Sequence, residues 1–189
     1  MFRKLAILGW LTFSCFSLVA SELTPEQANE YLKIPDTFST SGEFVQHKHF
    51  KILDKPFVSS GFFKNEGDTF EWTTLVPVTS ALIFDGKTLW QQESDGQLKP
   101  LLLAGHYIVV VEALVTGDIK RLGDFFKFET YQKTSCLKLL PKDKQMALIA
   151  KTIDFCYENS QLKVQLNESE GNYTTIDISL AAIDDKTRD

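Results

Sequence analysis

The chain has 189 residues and a formal net charge of −5, with 25 acidic and 20 basic side chains. This length suits one domain with a sizeable core, and the acidic balance argues against nucleic acid or an anionic membrane as the main partner. Phenylalanine is the dominant aromatic residue, with 15 copies. The composition therefore indicates either a dense core or an apolar cavity, and it does not separate the two.

Residues 1–20 have the organisation of a secretory signal peptide. Arg3 and Lys4 form a short positive region, and an apolar stretch follows them. Small or apolar side chains at the positions that signal peptidase recognises predict cleavage after Ala20. Residues 21–189 would then form a single exported domain.

Two alternatives for this N-terminal segment stay open. One is a retained membrane anchor, although the apolar stretch is shorter than the roughly 20 residues that span a bilayer. The other is a lipoprotein leader in which Cys15 is acylated, although the bulky Phe13 fits the recognition sequence for that modification badly.

The predicted elements of the mature chain are one helix followed mostly by strands. Thr24 is a typical N-cap, Pro25 stands in the first turn and Gln27 follows three residues after the cap, so a helix is predicted to begin here and to end before Pro35. Alternation of apolar and polar residues then predicts strands at 41–50, 57–64, 70–75, 78–84, 87–92, 125–133, 136–140, 150–157, 161–167 and 172–180.

A different pattern separates the early strands from the late ones. Residues 100–122 contain a run that is apolar on all sides, followed by Gly117 as a helix stop and Asp118 as the cap of a second short helix. Three consecutive valines would also suit a buried strand. A helix with no polar face must be covered everywhere. It would therefore lie across the sheet, either as a plug or lid or as an ordinary core helix.

Two cysteines remain after the predicted cleavage, Cys136 and Cys156. In an antiparallel hairpin with its turn near Met146, these two residues would face each other at bridging distance. An exported protein permits that disulfide, which would add about 3 kcal/mol to the free energy of unfolding. The alternative is two buried free thiols.

The sequence carries no recognisable catalytic motif, because the nucleophile elbow, the phosphate-binding loop and the zinc-protease helix are all missing. His47 and His49 share a strand face, but no cysteine or carboxylate cluster accompanies them, so a solvated pair is favoured over a metal site. His106 is interpreted as a hydrogen-bonded residue at a helix start. We therefore predict a protein that is not an enzyme and that has no cofactor and no metal.

Several short stretches resemble, in their order and spacing, a divergent branch of the outer-membrane lipoprotein carrier (LolA) family. They are FVQHK at 44–48, SSG at 59–61, FEW at 70–72, FDGKTLW at 84–90, ALVTGD at 113–118 and LLPK at 139–142. The resemblance spans nearly the whole mature chain.

The resemblance implies a fold that is mainly β, of α+β type: a curved antiparallel half-barrel that does not close, with an N-terminal helix and short helices plugging its concave face. It implies a monomeric periplasmic shuttle that binds acylated lipoprotein or lipid cargo, with an inner-membrane transporter as donor and an outer-membrane acceptor. The alternative is an envelope interaction or sensor module that binds a protein partner with the same half-barrel.

One departure concerns an Arg-Pro pair that precedes the Phe-x-Trp motif in typical members. Glu66 and Gly67 occupy those positions here, and Lys64 is the nearest cation. Lysine does not replace arginine in hydrogen bonding. The chain is therefore interpreted as a paralogue that handles another lipid or acyl product.

Sheet alternation selects nine residues as predicted acyl-chain or cavity-lining positions. For each of them, plain core packing is the alternative. They are Phe44, Phe62, Phe70, Trp72, Phe84, Trp90, Tyr107, Val110 and Leu114.

Overall fold

The computed structural model describes residues 22–35, 40–101, 105–131, 135–159 and 161–181. The predicted signal peptide and its cleavage site after Ala20 lie outside the described residues. Within them, four α-helices and eleven strands form, together with a short 3-10 turn at Ser169–Gly171.

The helices are α1 (Pro25–Leu32), α2 (Gly105–Thr116), α3 (Ile119–Phe125) and α4 (Met146–Ile149). The strands are β1 (Ser41–His49), β2 (Phe57–Glu66), β3 (Thr69–Val76), β4 (Ser80–Phe84), β5 (Leu89–Gln92), β6 (Leu98–Pro100), β7 (Phe126–Thr130), β8 (Cys136–Pro141), β9 (Thr152–Glu158), β10 (Gln161–Asn167) and β11 (Tyr173–Leu180).

All eleven strands belong to one antiparallel sheet. Its order is β6-β5-β4-β3-β2-β1-β11-β10-β9-β8-β7, so the first and last strands in the chain, β1 and β11, meet at its centre. The edge strands β6 and β7 do not pair with each other, and the sheet is therefore not closed into a barrel. This confirms the predicted fold class.

The helix starts follow from local sequence. The backbone N–H of Gln27 donates to Thr24 Oγ1 (3.3 Å), and the Thr24 N–H donates to Gln27 Oε1 (2.9 Å), which completes the predicted capping box of α1. At the α2–α3 junction, Gly117 has a φ of +67° and Asp118 accepts from the Arg121 N–H at 3.0 Å. Both predicted helices of this segment are thus confirmed.

Several details differ from the sequence prediction. Residue 125 ends α3 instead of beginning a strand, the short edge strand β6 was not predicted, and the region around Met146 forms α4 instead of a plain turn. Cys136 nevertheless faces Cys156 in the β8–β9 register, and the two form a disulfide as predicted.

The sheet has an inner face, covered by helices, and an outer face. Phe44 of β1 pairs with Ile178 of β11, and both are buried in one core cluster with Ile108 and Leu114 of α2. Alternate residues therefore form the core, as the period of a strand requires. None of the helices among the described residues has the length and apolar content needed to cross a membrane.

The two ends of the sheet differ, and each is named here. The mouth end is where β1 ends and β2 begins, and it carries the connections at 50–56, 77–79, 93–97, 142–151 and 168–172. The far end is where β1 begins and β2 ends. There the Asn65 Nδ2 donates to Glu112 Oε1 of α2 (3.2 Å), which places the α2–α3 junction at this end.

A cavity between helix α2 and the sheet

A cavity of about 710 Å³ lies between α2 and the inner face of the sheet. Its lining combines α2, the sheet and the α4 segment. The lining residues are Gln46, Lys48, Trp72, Leu82, Tyr107, Val111, Leu114, Val115, Gln145, Met146, Leu148, Ile149, Val164, Leu166, Glu168, Thr174 and Ile176.

Most of the cavity wall is apolar. Helix α2 presents Val111 and Leu114, and the sheet faces them with Trp72 on one side and Val164 and Ile176 on the other. Since α2 is apolar nearly all round, one side of it can bury against the sheet while another lines the cavity. The arrangement provides a surface for a long apolar group.

The polar residues of the cavity gather toward the mouth end. Lys48 and Glu168 form an ion pair with side chains that are 27% and 24% exposed, and Thr174 Oγ1 donates to Glu168 Oε1 at 2.9 Å. Partial burial of the Tyr107 side chain raises its pKa, and the negative charge of Glu168 raises it further. These groups form a polar rim where the cavity meets solvent.

Helix α2 is attached to its surroundings by one carboxylate near its C-terminal end. Glu112 accepts the bond from Asn65 of β2 and also pairs with Arg121 of α3, with Arg121 Nη1 3.0 Å from Glu112 Oε2. The polar links between α2 and its neighbours thus include two that lie away from the cavity mouth.

Exposed apolar side chains concentrate at the mouth end. Among the described residues, twelve large apolar side chains are exposed. Ten of them lie at the mouth end, counting Tyr107 of α2 at the cavity rim. The ten are Ile52, Leu53, Phe57, Val58, Leu75, Val76, Val78, Leu98, Tyr107 and Leu148. Only Val45 and Tyr131 of this set lie elsewhere.

Three of the nine predicted lining residues, Trp72, Tyr107 and Leu114, line the cavity. Phe44, Phe70 and Val110 are buried in the core instead, and the ring of Phe44 stacks on that of Trp72 with centroids 3.8 Å apart. Phe84 lies on the inner face, where it packs against the core without reaching the cavity. Contact of any of these residues with an acyl chain stays a prediction.

Two of the nine lie on the outer face and are corrected here. Phe62 pairs with Glu43 and Thr73, one position out of step with the buried Phe63. Trp90 pairs with the outward Ile83 and donates from Nε1 to Asp85 Oδ2 at 3.1 Å. Successive strand residues point to opposite faces, so neither side chain can line this cavity.

Sequence reasoning missed the polar rim and the α4 wall. The alternation along β1 puts Lys48 on the same strand face as Phe44, and that signal could have placed it at the cavity. Glu168 follows a strand end and gave no comparable signal. Met146 and Leu148 form part of a four-residue helix that is too short to be recognised by periodicity.

The histidines are separate from the cavity. His47 and His49 lie on the outer face, and the ring of His49 stacks on Tyr173 with centroids 4.2 Å apart. Within the ranges that the structure describes, no three metal-ligating side chains come together. The side chain of His106 lies outside the described residues.

Comparison with known proteins places the chain in a family context. A family model described as "Outer membrane lipoprotein carrier protein LolA" matches residues 36–187. The matching solved structures include a LolA superfamily protein from Nitrosomonas europaea, with 13% identity, a TM-score of 0.46 and coverage of 87% of this chain and 96% of that one. No curated protein matches.

Proposed function

Because this chain belongs to the LolA family of outer membrane lipoprotein carriers, we propose that it shields the acyl chains of a lipoprotein or a related lipid during transfer between the inner and outer membranes. Members of this family are periplasmic carriers and not enzymes. The family match covers residues 36–187, which is most of the domain.

The cavity under α2 is the observation that carries the proposal. Its volume of about 710 Å³ lies within the range of about 300–1,000 Å³ typical of small-molecule sites. Apolar side chains such as Trp72, Leu114 and Ile176 form its walls. Each CH₂ group transferred from water into such walls contributes about 0.8 kcal/mol, so a long acyl chain needs no specific polar contact to bind.

The route for cargo is proposed to run through the mouth end. Leu148 of α4 lines the cavity and is 87% exposed, so the apolar surface continues from the interior to the rim. The polar rim of Lys48 and Glu168 would face the ester or headgroup region of the cargo while the chain lies deeper. Loading and release then require movement at the mouth and no change in the far end.

The remaining parts of the proposal concern location and partners. After cleavage following Ala20, the domain would diffuse as a monomer through the periplasm, receiving cargo from an inner-membrane transporter and delivering it to an outer-membrane acceptor. Glu66 and Gly67, which stand in place of the family's Arg-Pro pair, occupy the end of β2 and the turn that follows it. The cargo is therefore proposed to differ from that of typical members.

The test is displacement of a fluorescent fatty-acyl probe from the purified mature protein. The Val111→Trp variant should reduce probe affinity at least about 10-fold, because the larger ring fills space that the chain would occupy. Val109→Trp is the matched control. Val109 lies on the same helix and packs against the core without lining the cavity.

Two results would contradict the carrier proposal. One is the absence of saturable probe binding by the native protein, combined with native mass spectra that show no co-purified lipid or lipoprotein. The other is equal probe affinity for Val111→Trp, Val109→Trp and the native chain. Co-purification of a protein partner without any lipid would favour the interaction module instead.

A further inference from the structure

The exposed apolar residues of the mouth end include a compact group on two neighbouring connections. We call this group the apolar tip; it comprises Ile52, Leu53, Phe57, Val58, Val76 and Val78. The register brings the group together, because β1, β2 and β3 are adjacent and Ser60 pairs with Val76. The tip is therefore one patch and not a set of scattered side chains.

The side chains of the tip project from the fold and do not line a groove. Ile52 is 90% exposed, and Phe57 and Val78 are each 63% exposed. None of the three lines the cavity. Exposed apolar patches on monomeric proteins mark sites of interaction with another protein or with a membrane.

Cations accompany the tip. The segment 48–58 contains three lysines and one aspartate, in a chain whose net charge is −5. Lys51 and Lys55 are exposed, and neither takes part in an ion pair with another described residue. Asp54 lies in the same segment, and Glu168 pairs with the third lysine, Lys48. Lysines beside exposed apolar side chains match the headgroup layer of a bilayer, where phosphate groups lie above the acyl region.

The tip is continuous with the cavity mouth. Phe57 pairs with Lys48 across the β1–β2 register, and Lys48 lines the cavity. The ring of Phe50 interacts with both residues. Its centroid lies 5.7 Å from the ring centroid of Phe57 and 5.5 Å from Lys48 Nζ. A surface that binds the tip would therefore lie directly beside the opening of the cavity.

We propose that the apolar tip binds the surface of a lipid bilayer. Ile52, Phe57 and Val78 enter the acyl boundary, while Lys51 and Lys55 stay among the lipid phosphates. The use of this contact to load or release cargo rests on the proposed carrier function. The membrane contact itself does not, because the tip lies outside the cavity.

The experiment is co-sedimentation of the mature protein with vesicles of phosphatidylethanolamine and phosphatidylglycerol, repeated with phosphatidylcholine vesicles. The native protein should bind both, and more strongly when the anionic lipid is present. The double variant Ile52→Asn/Val78→Asn should lower the partition coefficient on both vesicle types by about 10-fold or more, because two apolar side chains no longer enter the acyl boundary.

Two further variants separate the contributions. Tyr131→Asn is the control, since Tyr131 is an exposed residue of the far end, and it should bind vesicles as the native chain does. Lys51→Gln/Lys55→Gln should weaken binding to the anionic vesicles only. Neither double variant should change the affinity for the acyl probe in solution, so failure of the carrier proposal and failure of this one give different results.

The proposal is overturned if the native protein binds neither vesicle type, or if Ile52→Asn/Val78→Asn binds as strongly as Tyr131→Asn. Self-association of the native chain through the tip, measured by sedimentation velocity and abolished by the same double variant, would likewise overturn it if vesicle binding is absent.

Discussion

The mouth end and the far end belong to the same eleven-stranded sheet, but they differ in their crosslinks and in the apolar surface that they expose. The far end carries the Cys136–Cys156 disulfide, the Glu112–Arg121 ion pair and the capped start of α3. The mouth end carries most of the exposed large apolar side chains and the opening of the cavity. The disulfide and the polar links between α2, α3 and β2 thus lie at the far end, and apolar surface is left open where the cavity meets solvent.

This difference means that one part of the domain mainly stabilises the fold while another part is available for binding. Apolar side chains that are exposed in the free protein contribute little to the free energy of unfolding, whereas covering them with lipid would contribute to binding. The free energy of unfolding of a domain of this size is only about 5–15 kcal/mol. Apolar surface that stays exposed for binding must therefore be offset by a well-packed region elsewhere. The far end and the core beneath it supply that region.

The largest expected difference between the regions is in core packing. Phe155→Ala should lower the free energy of unfolding by about 3–5 kcal/mol, because Phe155 is fully buried next to the disulfide strand pair. Phe57→Ala at the mouth end removes the same ring from a residue that is 63% exposed, and it should change that free energy by no more than about 0.5 kcal/mol. Urea unfolding of both variants measures the contrast.

Equal losses for the two phenylalanine variants would contradict the division into a stabilising and a binding region. An unchanged denaturant dependence in both variants serves as the control, since it indicates that the unfolded ensemble is the same.

The second prediction concerns the disulfide at the far end. Replacing both Cys136 and Cys156 by serine should lower the free energy of unfolding by about 3 kcal/mol, because the bond closes a loop of 20 residues in the unfolded chain. Acyl-probe affinity should stay the same, since the bond lies on the outer face. A loss of probe binding in the folded double variant would show that the two ends are coupled.

The secondary structure was largely predictable because local signals and the fold agree. Thr24 and Gln27 form the capping box that their spacing indicates, and Asp85-Gly86 forms the turn between β4 and β5. The disulfide was predictable because a constant register sum in a hairpin places Cys136 opposite Cys156 even when the connection contains a helix. Each of these features depends on residues that are close in sequence or on a simple pairing rule.

The inner face was less predictable, because adjacent aromatic or apolar residues hide the alternation. Phe62 and Phe63 are identical neighbours, and Leu89 and Trp90 are both large and mainly apolar, so the sequence does not say which member of each pair is buried. The structure decides through register with Phe44 and Phe84, which are themselves fixed by long-range pairing. The rim pair Lys48–Glu168 depends on contact between strands that lie at opposite ends of the chain.

The third prediction compares two aspartates whose side chains accept hydrogen bonds from N–H groups at the start of short helices. Asp118→Ala at the far end should lower the free energy of unfolding by about 1 kcal/mol, because it removes the cap of α3. Asp143→Ala at the mouth end removes the acceptor of the Gln145 and Met146 N–H groups (2.8 and 2.9 Å) and should open α4 locally at a smaller global loss. Urea unfolding measures the first effect. Acyl-probe dissociation, which should be faster in Asp143→Ala and unchanged in Asp118→Ala, measures the second.

The smallest effect is expected in the ionisation of two tyrosines, one at each end. Partial burial, a hydrogen bond to Asp154 and the charge of that carboxylate raise the pKa of Tyr131 to about 12 at the far end. Partial burial and then the charge of Glu168 raise the pKa of Tyr107 at the mouth. Because the unfolded chain ionises its tyrosines near pH 10, the free energy of unfolding should be level below that pH and fall above it, toward pH 12. The two phenols can be followed at 295 nm in single Tyr→Phe variants.

Cargo that fills the cavity should raise the pKa of Tyr107 further, since it removes water from the rim, and should leave that of Tyr131 unchanged. A shift of both pKa values on loading, or of neither, would contradict the assignment of binding to the mouth end alone.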